Sequence, residues 1–193
     1  GICQNVAAPP KKKVTIPTGC DLHAFQAAKD TRWKKESGIK EKALFVFTGA
    51  IGEANAPDYL IEAARILQVD GQNDIAIALI GAGSAKERVK SLKESYMLEN
   101  VYLYDPLPKN LIPQVLAAAD GGIILHGVSR LYRETAMPNK FFDYIAAGLP
   151  VIFNFEGPLR YQILKHQAGF YVDYLKPEEL SRTLVMLFEN PEI

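Results

Sequence analysis

From residue 43 onward, short apolar runs alternate with stretches in which apolar positions recur every three or four residues. The runs at 43–48 (ALFVFT), 75–80 (IAIALI) and 121–125 (GGIIL) show no polar alternation, so they are expected to form strands buried on both faces. Shorter strand candidates lie at 101–104, 151–154 and 170–172. Between the first two runs, Leu60, Ile61, Ala64 and Leu67 have helical spacing within 57–69, and 84–97 reads as a charged amphipathic helix. Further helices are expected at 111–118, 138–147, 159–167 and 177–189. Doubly buried strands need helices on both sides. The regular alternation with short loops therefore predicts an α/β fold, a Rossmann-like doubly wound parallel sheet. Upstream, Val14-Thr15-Ile16 is a short strand candidate closed by Pro17. Residues 1–13 hold a Pro-Pro pair and three consecutive lysines and read as a linker, which leaves 14–193 as the folded domain.

Composition narrows the partners. A chain of 193 residues suits one α/β domain with an ample core. Lys+Arg and Asp+Glu both number 22, so no global charge favours nucleic acid. Lys11, Lys12 and Lys13 are too short a run for a nuclear-localisation or nucleic-acid role and are read as solvated. No apolar run approaches the ~18 residues of a membrane span. The two cysteines, Cys3 and Cys20, have neither metal-site spacing nor a disulfide framework, and as ordinary thiols they fit a reducing compartment. No zinc pattern, G-x-S-x-G elbow or Cys–His nucleophile signature is present.

Open α/β sheets bind ligands at the carboxyl ends of their strands. That rule selects 49–55, 81–84, 105–108, 126–139 and 154–160. Gly49 and Gly52, with Asn55, follow the first apolar run; such glycines permit a sharp turn close to a ligand or simply a βα turn. The spacing matches neither the dinucleotide fingerprint nor a P-loop. Gly81 and Gly83 follow the second run, with Ser84 placed to cap the next helix. The segment 134–152 is the most informative. Pro138 suits a first helical position and Gly148 a helix C′ position. Phe141, Phe142, Ile145 and Ala146 make the expected buried stripe. Lys140 falls in the first turn, where free N–H groups and an ammonium together suit an anion such as a phosphate. Asp143 lies one turn on, where a carboxylate can accept from both ribose hydroxyls. Alternatively, Lys140 and Asp143 form an i,i+3 surface ion pair. His126, Arg130, Arg133 and Glu134 surround this helix start; the arginines either meet phosphates or are solvated.

In order along the chain, these segments resemble glycosyltransferase family 4. Residues 14–25 (VTIPTGCDLHAF) are similar to its "V-I-P-N-G-V-D-x-x-x-F" segment, 44–64 to its "V-G-R-x-x-x-x-K-G" block, and Ile80-Gly81-Ala82-Gly83 to "I-G-x-G". Ala117-Ala118-Ala119-Asp120 resembles "A-x-A-D". Residues 138–152 (PNKFFDYIAAGLPVI) resemble the corresponding block of the branch that builds bacterial surface polysaccharides. The resemblance implies one half of a GT-B fold, the C-terminal half that binds the nucleotide-sugar donor, with the acceptor-binding N-terminal half absent from this chain except for a remnant in 1–13. It implies a retaining hexosyl or N-acetylaminosugar transferase that needs no cofactor and no metal. The donor is a nucleotide-sugar, taken as UDP-linked. Lys140 and the amides near Pro138 and Asn139 would face the diphosphate, Asp143 the ribose and Leu107 the base. Gly49, Gly52, Asn55, Gly81, Gly83 and Arg133 would complete the donor site, with Glu134 in the catalytic position. The intact enzyme would be cytoplasmic and peripheral to the inner membrane, held there only through its other half, with this half alone inactive.

Three residues depart from the family pattern. Ala50 replaces its arginine and Asn55 its lysine, so two usual diphosphate cations are absent, although related variants occur in the polysaccharide branch. The first acid of the E-x7-E motif falls at Thr135, with Glu134 one position away; Glu134 substitutes only if the loop shifts. Two other functions stay open on these residues: a degenerate or non-enzymatic sugar-nucleotide-binding module, and a sugar-nucleotide epimerase on the same scaffold, for which His126 and Glu134 are the acid–base candidates.

Overall fold

The computed structural model describes residues 18–28, 31–127, 129, 134–135, 137–173 and 176–192. The expected linker at 1–13 and the strand at Val14-Thr15-Ile16 lie outside the described residues, as does Cys3. Six strands form one sheet: β1 (Ala43–Thr48), β2 (Ile75–Ile80), β3 (Val101–Tyr104), β4 (Gly121–Ile124), β5 (Val151–Phe153) and β6 (Gly169–Tyr171). Their order is β3-β2-β1-β4-β5-β6 and every pairing is parallel. The chain winds outward from β1 to β3, then crosses back to β4 beside β1. The sheet therefore has its topological switch point between β1 and β4.

Every residue of β1, β2, β4 and β5 is buried, as the unbroken apolar runs require, whereas the edge strands β3 and β6 are partly open. Alternate strand residues serve opposite layers, because side chains along a strand have period two. Phe45, Phe47, Ile75, Ile77 and Leu79 pack with α3 (Pro57–Val69) and α8 (Pro177–Glu189), joined by Val89 of α4 (Lys86–Ser95). Leu44, Val46, Ala76, Ala78 and Phe153 pack with α1 (Leu22–Ala27), α5 (Ile112–Ala117), α6 (Asn139–Ala146) and α7 (Pro158–Lys165).

The helices α3 and α8 have the expected bounds, and the others differ by one or two residues at their ends. Two elements were not expected, α1 and α2 (Arg32–Glu36). Both are too short to show a periodic stripe, and α2 has no buried residue. Tertiary contacts hold this region instead: Phe25 is buried, Trp33 meets Tyr104 edge-on at 5.4 Å between centroids, and the Tyr104 hydroxyl donates to the Ser37 carbonyl. Ser84 does not cap the next helix; α4 starts at Lys86 with Ala85 at the N-cap. Pro138 is the N-cap of α6 rather than its first helical residue. Gly148 takes φ +76° just past α6, the left-handed C′ position expected of it.

The buried stripe of α6 also needs correction. Ile145 is 39% exposed, and Tyr144 is the fully buried member alongside Phe141. The Tyr144 ring occupies the space left by Gly122 of β4, where a Cβ would fall 2.2 Å from Cδ2 of the ring. Its hydroxyl accepts from the Thr48 N–H at 2.9 Å and lies 3.1 Å from Thr48 Oγ1. This ties α6 to the end of β1. Tyr144→Phe should leave the buried Thr48 N–H without that acceptor and cost about 1–3 kcal/mol. Urea unfolding of the two proteins measures this; a loss below about 0.5 kcal/mol would show that the bond is dispensable.

Candidate functional site

The carboxyl ends of β1 and β2 are joined by an interlock of their following loops. The Gly49 N–H donates to the Ile80 carbonyl at 2.9 Å and the Ile51 N–H to the Ala82 carbonyl at 2.8 Å. The ladder thus continues past the strands, and side chains at the crossing would collide. A Cβ on Gly81 would lie 1.8 Å from the Gly49 carbonyl oxygen, and one on Gly83 would lie 2.2 Å from that of Ile51. Gly49 itself has φ +111°. Gly52 has no such demand: its φ is −128° and a Cβ there would make an ordinary 3.7 Å contact with Ser84 Oγ. The Asn55 side-chain amide donates to the Ala50 carbonyl at 2.8 Å and closes its own loop. Arg88 of α4 braces the same loop from outside, bonding the Glu53 carboxylate at 2.5 and 3.0 Å and Asp58 at 3.0 Å.

Beside this interlock, at the switch point, lies a cavity of about 530 Å³, within the ~300–1,000 Å³ usual for small-molecule sites. Its walls are Thr48, Gly49 and Ala50 at the end of β1, Ile80, Gly81 and Ala82 at the end of β2, Pro106, Leu107 and Ile112 after β3, and Asn139, Lys140 and Asp143 of α6. The fold therefore brings six of the expected residues to one cavity: Gly49, Gly81, Leu107, Asn139, Lys140 and Asp143. Gly52, Asn55, Gly83 and Pro138 do not line it. Glu134 is exposed and its carbonyl lies against Gly157, where a Cβ would approach to 2.2 Å. Arg130 and Arg133 lie outside the described residues.

Lys140 is the unusual group in this cavity. The residue as a whole is only partly buried, but its Nζ is shielded from solvent and has no hydrogen-bond partner among the described residues. The ammonium sits 3.6 Å from the centroid of the Phe47 ring and would lie the same distance from a Cβ on Gly49. The i,i+3 ion pair with Asp143 is not formed. Burial pushes the ammonium down to about 7. A desolvated, unpartnered cation costs the fold stability and marks a functional-site candidate. No side chain caps α6, so its first N–H groups are available beside Lys140. Asp143 is half-buried; burial raises its carboxyl from the usual range, opposed by Lys109.

His126, after β4, is buried, and burial reinforced by the Lys140 charge pushes its imidazole down to about 4. It is neutral at pH 7. Its main chain is held by Asn154, whose side chain accepts from the His126 N–H at 2.7 Å and donates to the His126 carbonyl at 3.0 Å. Asp120, in the "A-x-A-D" segment, serves the opposite end of the sheet, accepting from the Leu44 N–H at 2.7 Å. Residue types alone did not single out Tyr144, Asn154 or Lys86, because each acts by bonding main-chain groups that only the fold brings to it. Among the described residues no three His, Cys, Asp or Glu side chains cluster as metal ligands, and no helix is long and apolar enough to cross a membrane.

Comparison with known proteins bears on the fold. A D-inositol 3-phosphate glycosyltransferase from Geodermatophilus obscurus is 22% identical over 207 residues, covering 100% of this chain and 44% of the relative. The chain spans less than half the length of the curated relatives it matches. The C-terminal domain of LpcC, a glycosyl transferase group 1 family protein from Francisella tularensis, superposes with a TM-score of 0.74 at 17% identity, over 90% of each chain. HepE from Anabaena, in complex with UDP and glucose, gives a TM-score of 0.76 at 15% identity, covering 96% of this chain and 50% of HepE. These likenesses establish the fold as the Rossmann-like half of a GT-B architecture. The sequence profile of the glycosyl transferases group 1 matches residues 29–193, from just before α2 to the end of the chain, and the chain belongs to that family.

Proposed function

We propose that this chain is the nucleotide-sugar-binding half of a retaining glycosyltransferase that uses a UDP-linked sugar without a metal ion. The observation that carries this reading is the buried, unpartnered ammonium of Lys140 at the uncapped start of α6, inside the switch-point cavity. Such a cation lacks only its anion. When the bond between the sugar and the diphosphate breaks, negative charge grows on the leaving group, and Lys140 with the α6 N–H groups stabilises it in place. Asp143 accepts from the ribose hydroxyls. Pro106, Leu107 and Ile112 supply an apolar wall for the base, with the Leu107 peptide groups at its edge. Glu134 contacts the donor sugar once the loop around it closes. HepE, which shares the fold, was crystallised with UDP and glucose, which supports the choice of base.

The acceptor site and the other wall of the cleft belong to the rest of the protein. This half alone therefore binds donor and transfers no sugar. The intact enzyme serves bacterial polysaccharide or glycoconjugate synthesis, on the cytoplasmic side of the inner membrane and held there by its other half. Calorimetric titration with UDP, GDP and ADP tests the donor site. UDP should bind saturably and Asp143→Ala should weaken it about 10- to 100-fold, the loss expected for hydrogen bonds to a charged group. If neither this chain nor the full-length protein binds any of the three nucleotides, the reading is wrong.

A further inference from the structure

Two lysines stand at the carboxyl ends of the central strands, and they are opposites. Lys140 has no hydrogen-bond partner among the described residues. Lys86, the first residue of α4, donates to three: the Gly81 carbonyl at 3.0 Å, the Tyr104 carbonyl at 3.0 Å and the Asp105 carboxylate at 2.7 Å. An ammonium has three protons, so Lys86 is saturated within the protein and has none left for a ligand. It does not line the cavity. Its side chain is 20% exposed, whereas that of Asp105 is 95% exposed.

The positions of these acceptors matter. The β2–β3 ladder ends where the Gly81 N–H donates to the Tyr104 carbonyl at 3.2 Å. Beyond that rung the two chains diverge, one into 81–83 and the other into 105–108. Lys86 takes the carbonyls on both sides of the last rung together with the first side chain beyond it. It thereby ties the cavity wall Ile80-Gly81-Ala82 to the wall Pro106-Leu107 from behind. Leu107 packs its side chain against the core but makes no main-chain hydrogen bond among the described residues, so the Lys86 tie is the nearest polar anchor of its main chain. A plain surface ion pair with Asp105 would not explain the geometry, because an exposed pair contributes little and two of the three acceptors are main-chain carbonyls.

We infer that Lys86 is a positioning residue for the base end of the donor site, a clasp that fixes the spacing between the Gly81 and Leu107 walls and so governs nucleoside affinity without touching the ligand. This rests on the donor-site reading above and assigns within it a division of labour: Lys140 holds phosphate, Lys86 shapes the nucleoside pocket. The test separates the two ends of the ligand. UDP and inorganic pyrophosphate are titrated into the wild type, Lys86→Met, Lys86→Arg and Asp105→Ala, with folding checked by circular dichroism. Lys86→Met should weaken UDP about tenfold, because buried carbonyls lose their donor and the wall loosens, while pyrophosphate binding stays within about twofold of wild type. Lys86→Arg, which keeps charge and donors, should recover most of the loss. Asp105→Ala removes one of the three acceptors and tests the clasp if Lys86→Met does not fold; a smaller loss of UDP affinity with unchanged pyrophosphate is expected. Equal losses for UDP and pyrophosphate, or UDP binding unchanged in the folded variants, would overturn the clasp while leaving the donor site intact. A wild type that binds no UDP would overturn both.

Discussion

Replacing Lys140 by methionine should make the protein more stable and nearly abolish nucleotide binding. The two effects have one cause. In the free protein the Lys140 ammonium is taken from water and, among the described residues, given only the face of Phe47 in return. A cation–π contact returns about 0.5–2 kcal/mol, less than the desolvation that drives the group from 10.5 to about 7. Methionine fills the same space without a charge, so a net gain of about 1–3 kcal/mol is expected at pH 6, where the lysine is charged. Nucleotide binding should fall about 30- to 100-fold, the weight of a charge-assisted contact to phosphate. Methionine binding UDP within about threefold of wild type would show that the ammonium does not face the diphosphate.

The same lysine sets a pH dependence whose sign can be worked out. Its affinity for a proton is depressed in the folded state, so between about pH 7 and 10.5 the unfolded chain holds more protons there. Stability rises with pH through that window, and below pH 7 the full cost of the buried charge is present. A bound diphosphate favours the charged form and reverses the depression. Binding above pH 7 must therefore take up a proton, and affinity should fall as pH rises from 7 to 9. Calorimetry at pH 8 in buffers of different ionisation enthalpy should register an uptake approaching one proton, which vanishes in Lys140→Met. His126 faces the same ammonium but is neutral across this range, so it does not share the titration.

The layered sheet was legible because its signals are local. Unbroken apolar runs declare doubly buried strands, and Leu60, Ile61, Ala64 and Leu67 declare the face of α3. Gly148 was legible for a similar reason, since the left-handed turn after α6 is a requirement of one residue. The errors arose where a distant partner decides. Periodicity along α6 cannot choose between Tyr144 and Ile145; the choice is made by Gly122, an absent side chain on another strand. The helices α1 and α2 have no pattern of their own and depend on Phe25 and Trp33 meeting the sheet. Within the site, position after a strand and the block at 138–152 led to Lys140 and Asp143. Only the fold could show that Lys140 lacks a hydrogen-bond partner among the described residues while Lys86, alike in residue type, has three.

Gly81→Ala should be the most damaging single methyl group near the site, and Gly52→Ala, nearby in the same pair of loops, should be almost silent. At Gly81 the new Cβ meets the Gly49 carbonyl oxygen at 1.8 Å and its carbon at 2.8 Å. Main-chain atoms cannot rotate away as a side-chain tip can, so the β1 and β2 loops must separate. Overpacking against backbone should cost at least about 3 kcal/mol, which for a chain of this size lowers the melting temperature by about 6–12 °C. Gly49 lines the cavity beside Lys140, where a Cβ would stand 3.6 Å from its Nζ, so its displacement should also disturb the ammonium and weaken UDP binding in whatever protein still folds. Gly52 provides the control. Its backbone is extended and its new Cβ would touch only Ser84 Oγ at 3.7 Å, so stability and UDP affinity should both stay near wild type. The strand-end rule selects both as glycines of a ligand loop, and by that measure alone they are equivalent. If Gly52→Ala lost UDP affinity while keeping its stability, a phosphate would have to approach that Cα directly, and the donor would lie further along the loop than Lys140 indicates.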